Sequence, residues 1–221
     1  DPSKAEGLIW LSQKYLMMFL FPVMAVLLVF GEDIGGVLFG AEYAKAGVIL
    51  SILSVMMTLR VLTGTLSQVL YASNKASLYT KATMIYTAVV ASMFVLLIPN
   101  TGMLPWDGMY GIGAAISLST GYIILTAVLM YYVRRAVGIR PYKNLWKHLL
   151  SLAVTAVLLV VVDRMFEISG FMEVAAVALL GLAVYALALV ALRELLRSDI
   201  GFFMNAMNPK HIKDSLDDEL R

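Results

Sequence analysis

The chain has 221 residues, of which 61% are hydrophobic and 14% charged, and its net charge is +2. A soluble domain carries about 25% charged residues, so this composition, with a mean hydropathy of +0.84, is that of an integral membrane protein. The small net charge gives no reason to invoke nucleic acid, and the absence of cysteine excludes disulfides and thiolate metal sites. The chain starts at Asp1 with neither a methionine nor a signal-peptide pattern. It reads as a piece of a longer protein.

Six stretches reach the roughly 20 apolar residues that a spanning helix requires. The first runs from Leu8 to Phe30, with a kink expected at Pro22. An outer loop, Gly31 to Gly47, holds Glu32, Asp33, Glu42 and Lys45. Its Gly35-Gly36 pair is expected to break the helix, and Val37-Leu38-Phe39 to dip into the interface. The second span, Ala46 to Ala72, contains Arg60 near its middle. The third covers Leu78 to Ile98. A loop from Pro99 to Gly113 carries Asp107, with Trp106 and Tyr110 where interfacial aromatic belts sit. The fourth span covers Ala114 to Val133, the fifth Leu145 to Val162 and the sixth Phe171 to Leu192. Residues 1–197 are thus one six-helix membrane domain of all-α class, and residues 198–221 a tail. In that tail Ser198-Asp199 fits an N-cap. Ile200, Phe202, Phe203, Met204 and Met207 give an interfacial face as far as Pro209, and a charged, solvated end follows.

The basic residues alternate between connections. Lys4, Lys14, Lys75, Lys81, Arg134, Arg135, Arg140, Lys143, Lys147 and five tail residues fall on one side, fourteen in all. Lys45 and Arg164 fall on the other, and Arg60 is the seventeenth. The positive-inside rule then places both termini of this chain in the cytoplasm, as an even number of spans requires.

Arg60 is the feature that points to function. A charge at that depth costs roughly 2.5–3.5 kcal/mol on insertion scales, so such residues face a cavity or a partner. The bland reading is an ion pair with a neighbouring helix. Around it, Arg60, Gly64, Ser67 and Tyr71 share one stripe, with Gln68 near its edge. Ser51, Ser54, Thr58 and Thr65 form another, roughly 150° away at 100° per residue. The second stripe suits ordinary helix packing, as do Gly111, Gly113, Ala114, Ala115, Ser117, Ser119 and Gly121 on the fourth span. A guanidinium offers donors in a fork that matches phosphate. Catalytic constellations are missing from the sequence: His148 and His211 stand in no metal-binding spacing, and there is no phosphate loop. No carboxylate falls inside a predicted span, and Asp163, Glu167 and Glu173 lie at the outer edge of the fifth and sixth. No cofactor or metal is expected.

Three passages resemble a known family. Phe39-Gly40-Ala41-Glu42-Tyr43-Ala44-Lys45-Ala46 is similar to the FG-x-x-Y-x-x-A signature that precedes a helix in polysaccharide flippases. Tyr71-Ala72-Ser73-Asn74-Lys75 is similar to the basic turn that follows that helix. Leu97-Ile98-Pro99-Asn100-Thr101-Gly102 and then Gly111-Ile112-Gly113-Ala114-Ala115 resemble a third motif, here with Met103 to Tyr110 intervening like an insertion. The resemblance covers residues 8–160 and points to the oligosaccharide and O-antigen flippases of the multidrug/oligosaccharidyl-lipid/polysaccharide exporter superfamily.

That resemblance implies a transporter of twelve to fourteen helices in two lobes, of which this chain is the C-terminal six. It implies a multi-pass location in the cytoplasmic membrane and a missing N-terminal lobe as partner. The implied substrate is a polyprenyl-(pyro)phosphate-linked oligosaccharide, moved across the bilayer by alternating access for polysaccharide assembly and without covalent chemistry. Arg60, Gly64, Ser67, Gln68 and Tyr71 are the expected substrate-binding residues. The role of Arg60 rests on its depth and charge and not on a family motif. Two other classes compete. A cation-coupled multidrug exporter of the same superfamily requires buried acids in the spans. A membrane-embedded lipid-glycan enzyme requires a carboxylate pair or metal motif, for which only Asp163 and Glu167 are close enough.

Overall fold

The computed structural model describes residues 2–98, 109–140, 142–166, 170–195 and 199. Six helices follow in order: α1 (Pro2–Phe39), α2 (Ala44–Ala72), α3 (Ala76–Leu97), α4 (Tyr110–Val137), α5 (Leu145–Asp163) and α6 (Phe171–Ala191), with a short 3-10 turn at Ala41–Tyr43. All six are long and apolar enough to cross a membrane. The protein is an all-α membrane bundle, and its surface has the inverted character that lipid requires. Leu179 and Leu187 on α6 and Val157 on α5 are largely exposed, while Gly181, Ser151 and Thr155 on the same helices are buried. In water such an apolar surface has no counterpart in a stable monomer. In lipid it is solvated, and small and hydroxyl residues are left to mediate helix contact.

α1 and α2 form the central pair. α5 and α6 pack against α1, α4 packs against α2, and α3 lies mainly on α4. The α1–α2 crossing is built on glycine. A Cβ added at Gly47 would stand 2.0 Å from the carbonyl oxygen of Gly31, and one at Gly35 would stand 2.8 Å from the Cα of Gly47. Only hydrogen fits between these backbones. On α4, Gly121 admits Val90 and Tyr86 of α3 in the same way. Ser119 on α4 donates to the carbonyl oxygen of Ile52 on α2 at 2.9 Å.

The crossing explains three departures from the sequence reading. The uninterrupted helix ends at Phe30, where the first span was expected to end, but a second helical stretch replaces the expected loop. It continues through Gly35-Gly36 to Phe39, so Val37-Leu38-Phe39 form its last turn. The break in helical geometry falls at Phe30 (φ −105°, ψ 17°) and not at Pro22. Glycine in a helix costs about 0.5–1 kcal/mol relative to alanine, and the close contact with α2 offsets that cost here. Because α1 is extended, Glu32 and Asp33 now lie within a helix, at its far end.

The ends of the helices are tied by polar contacts. The Trp10 indole donates to the Arg140 carbonyl oxygen at 2.9 Å, and the Arg140 N–H donates to Glu6 at 3.0 Å. Lys75, in the turn between α2 and α3, caps the carbonyl of Ala136 at the end of α4. Lys14, Lys75, Arg134, Arg135 and Lys147 therefore gather at one end of the bundle, called here the basic end. Residues 99–108, and the tail beyond residue 199 with its expected interfacial helix, lie outside the described residues.

Gly47→Ala is expected to lower stability by about 1–3 kcal/mol through overpacking. Gly64→Ala, where an added Cβ meets nothing within 4 Å, is expected to hold or raise it. Thermal midpoints of the two variants in one detergent check the pair, and a tolerated Gly47→Ala would contradict the tight crossing.

Candidate functional site

α2 carries two kinds of face. Its serine and threonine stripe packs inward: Ser54 and Thr58 are buried, and their hydroxyls donate to the carbonyls of Ser51 at 2.6 Å and Ser54 at 2.9 Å. Thr65 accepts from Gln13 of α1 at 3.3 Å. The packing reading of that stripe agrees with these contacts. The other face is open. Met57, Arg60, Val61, Gly64, Gln68, Tyr71 and Ala72 are all exposed, over a sector of about 120° at 100° per residue.

This sector is the uncovered side of α2 between α1 and α3, called here the cleft. α1 and α3 flank α2 but do not touch each other among the described residues. On the α3 side Tyr71 packs on Tyr79, with ring centroids 5.3 Å apart, and Arg60 is within electrostatic reach of Tyr86. On the α1 side, toward the basic end, Gln68 and Ala72 border a groove of about 680 Å³ that does not extend to Arg60. Leu8, Ile9 and Ser12 form one wall, Thr65, Gln68 and Val69 the other, and Val137 and Ile139 close its end. Arg60 stands about 24 Å along the axis from Ala44 and about 18 Å from Ala72 at 1.5 Å per residue, close to mid-depth.

Four of the five residues expected at the site, Arg60, Gly64, Gln68 and Tyr71, share this open face. Ser67 does not. It is buried, and its hydroxyl donates back to the Gly64 carbonyl oxygen at 2.8 Å. The wheel angle alone put Ser67 with Arg60, but Ser67 lies just past the edge of the open face, where α2 is covered. Among the described residues no carboxylate forms an ion pair with Arg60.

A second polar constellation escaped the sequence reading. At the basic end Glu194, just past α6, is 3% exposed. It accepts from the Tyr142 hydroxyl, from Asn144 Nδ2 at 2.9 Å and from Lys147 Nζ at 2.9 Å. Asp199 is buried too and holds Lys14 Nζ at 2.7 Å, with the Tyr15 hydroxyl 3.3 Å from its other oxygen. So Asp199, read from sequence as part of an N-cap, anchors α1 to the segment after α6. His148 lies fully buried between these groups. No sequence spacing signals the cluster, because its members are up to 185 positions apart.

Burial raises the Glu194 carboxyl, but hydrogen bonds from Tyr142 and Lys147 and the Lys147 charge outweigh it and hold the group below its ordinary value of 4.5. Burial, and the hydrogen bond to Glu194, push the Tyr142 hydroxyl above its usual range. Among the described residues no group of three or more histidines and carboxylates is placed to hold a metal ion. Asp163 ends α5 on the exposed surface, and its proposed companion Glu167 lies outside the described residues.

Comparison with known proteins finds no matching family, no matching curated protein and no matching solved structure. The chain is a multi-pass membrane protein on the strength of its six apolar helices, and its function has to be argued from the cleft and the buried cluster.

Arg60→Leu is expected to leave stability within about 0.5 kcal/mol, because no ionic partner is lost. A drop of about 3–5 kcal/mol, the cost of breaking a buried pair, would reveal such a partner. A separate expectation concerns acid. Glu194 has a depressed native value, so its stabilisation is full above 4.5 and is lost as pH falls through that native value. Thermal midpoints taken from about pH 7 down to about pH 3 should show an acid-side loss that is smaller in Glu194→Gln.

Proposed function

We propose that this chain is one lobe of a flippase that carries a lipid-linked oligosaccharide across the cytoplasmic membrane. The observation that carries the reading is Arg60, an exposed guanidinium near mid-depth on the open face of α2, which no carboxylate among the described residues pairs with. A soluble protein can leave an arginine on its surface at little cost. A spanning helix has reason to keep one there only where water, a partner or an anionic ligand meets it.

In this reading Arg60 holds the phosphate or pyrophosphate of the carrier through forked, charge-assisted hydrogen bonds, strengthened by the low dielectric of the surroundings. Gln68 adds an amide along the path, and Tyr71 a ring on which a sugar can stack. Gly64 keeps the floor clear between them. The mostly apolar groove beside Gln68 gives the lipid chain a way to remain in hydrocarbon. A second lobe faces the cleft, and rocking of the lobes opens it to either leaflet in turn. Both termini of this chain are then cytoplasmic, with the basic end at that surface. No bond in the substrate is made or broken. Ser67 is left out of this site, because its hydroxyl is buried and already bonded.

The test is a flipping assay with the parent protein in liposomes and a labelled polyprenyl-pyrophosphate oligosaccharide. Sugar exposure to an external lectin is followed over time. Wild type is expected to expose sugar faster than empty vesicles, and Arg60→Ala to slow it at least about tenfold, as the loss of a hydrogen bond to a charged group predicts. Exposure unaffected by Arg60→Ala would remove Arg60 from the path. Efflux of a lipophilic cation without sugar exposure would favour a multidrug exporter.

A further inference from the structure

The cations at the basic end are not all held by carboxylates. Lys14 holds Asp199, Lys147 holds Glu194, and the Arg140 N–H meets Glu6. Lys81, Arg134 and Arg135 are exposed and take part in no ion pair among the described residues. Between Glu42 and Asp163 the sequence has one carboxylate, Asp107, in the connection from α3 to α4. α3 begins and α4 ends at the basic end, so the cations there have no acid on either helix.

Arg135 borders a groove. Leu78 from the first turn of α3, and Tyr131, Tyr132, Arg135 and Ala136 from the last turns of α4, line a space of about 380 Å³. It shares no residue with the groove beside Gln68. Tyr131 sets the guanidinium in place: Nη1 of Arg135 donates to the Tyr131 hydroxyl, and its Cζ stands 5.8 Å from the ring centroid. A guanidinium has more N–H donors than one hydroxyl can take, and that hydroxyl keeps its own proton to give. Lys75 directs its ammonium to the Ala136 carbonyl oxygen at the edge of the groove and has further N–H donors to spare. Lys81 neighbours Leu78 on α3, three positions on.

A helix C-terminus attracts cations by itself. The end of α4 is already closed, because Gly138 turns the chain at φ 82° and Lys75 caps Ala136. Arg135 is directed back along α4 to Tyr131, away from the last carbonyls. In depth the groove belongs to the membrane surface. Arg135 is about 3 Å along the axis from the end of α4, whereas Arg60 stands near mid-depth. Ile85, seven positions on from Leu78 and on the same face of α3, is exposed about 10 Å further in. Donors at the surface with an apolar seam beneath them follow the order of a phospholipid, headgroup above and chain below.

We propose that this groove binds an anionic phospholipid of the surrounding bilayer. Its phosphate is met by Arg135, Lys75 and the Tyr131 hydroxyl through charge-assisted hydrogen bonds, and an acyl chain runs over Leu78 and Ile85. Basic pockets between spanning helices on the cytoplasmic side suit such headgroups. A lipid fits better than free phosphate, because leucine, alanine and two tyrosine rings make up the rest of the lining. Bound there, the lipid ties the start of α3 to the end of α4.

The full chain in nanodiscs of phosphatidylcholine and phosphatidylglycerol, in equal parts, provides the test. Native mass spectrometry weighs the lipids that each released molecule keeps. Phosphatidylcholine carries the same phosphate with a cation attached, which the basic groups disfavour, so wild type is expected to keep phosphatidylglycerol in preference. Arg135→Gln is expected to lower the retained phosphatidylglycerol at least about fivefold, as the loss of a hydrogen bond to a charged group predicts. Arg134→Gln removes the same charge one position away, outside the groove, and is expected to lower it less than about twofold. Both arginines are exposed, and helical circular dichroism checks that each variant is folded. Equal losses in the two variants would overturn the proposal, since surface charge alone would then explain retention. No loss in Arg135→Gln would overturn it, as would equal retention of the two lipids. Retention of neither would overturn it in favour of an acidic protein segment as occupant. Arg60 is intact throughout and no transport substrate is present, so a negative result leaves the flippase reading as it stands.

Discussion

The contact on which the rest of the bundle depends is the backbone-to-backbone crossing of α1 and α2 at Gly31, Gly35 and Gly47. In a bilayer there is no hydrophobic drive to bring two apolar helices together. Close packing and shared polar groups have to supply it, and glycine allows the closest packing. That crossing draws α1 and α2 into a central pair. Their other faces are then divided: α1 takes α5 and α6, and α2 takes α4 with α3 beyond it. The cleft at Arg60 is the part of α2 that this division leaves uncovered.

How far the sequence reveals this depends on the kind of signal. Apolar length is a local property, and it is enough to find six helices in the right order and an all-α membrane class. Where tertiary contact overrides local preference, the reading fails. Gly35-Gly36 breaks helices in isolation, yet α1 runs through the pair because Gly35 meets Gly47. Pro22 removes one backbone donor, yet the helical geometry breaks at Phe30 beside the crossing. The stripe of Arg60, Gly64, Gln68 and Tyr71 was legible from the helical period, because all four lie on one face of one helix. Whether that face is covered depends on other helices, and Ser67 was misplaced for that reason. The buried cluster was not legible at all. Glu194 and Asp199 sit in a segment whose composition resembles any polar helix end, and only the fold returns them to Lys147 and Lys14.

The cleft and the cluster share α1. Ser12 lines the groove beside Gln68, while Lys14, two positions on, turns the other way to Asp199. Gln13 between them donates to Thr65 of α2. One turn of helix thus borders the cavity on one side and the ion pairs on the other. On the next turn the Met17 carbonyl is the last acceptor in the hydrogen-bonded chain that begins at His148 and passes through Tyr185. A shift of this turn relative to α5 would change the width of the groove and the geometry of the cluster together.

Such an arrangement has a physical consequence for how two sites in one small bundle can communicate. Packed helices do not deform continuously; they exchange between discrete arrangements when a contact is made or lost. A ligand shifts such a balance only where its energy differs between two arrangements. The groove and the Lys14–Asp199 pair are bordered by the same turn of α1, so a shift of that turn reaches both. The ends of α1 differ in this respect. At the glycine crossing its backbone has no space to move, whereas at the basic end it is held by the side chains of Lys14 and Tyr15 on Asp199. A tilt of α1 about the crossing is therefore the motion by which these contacts would join the two sites.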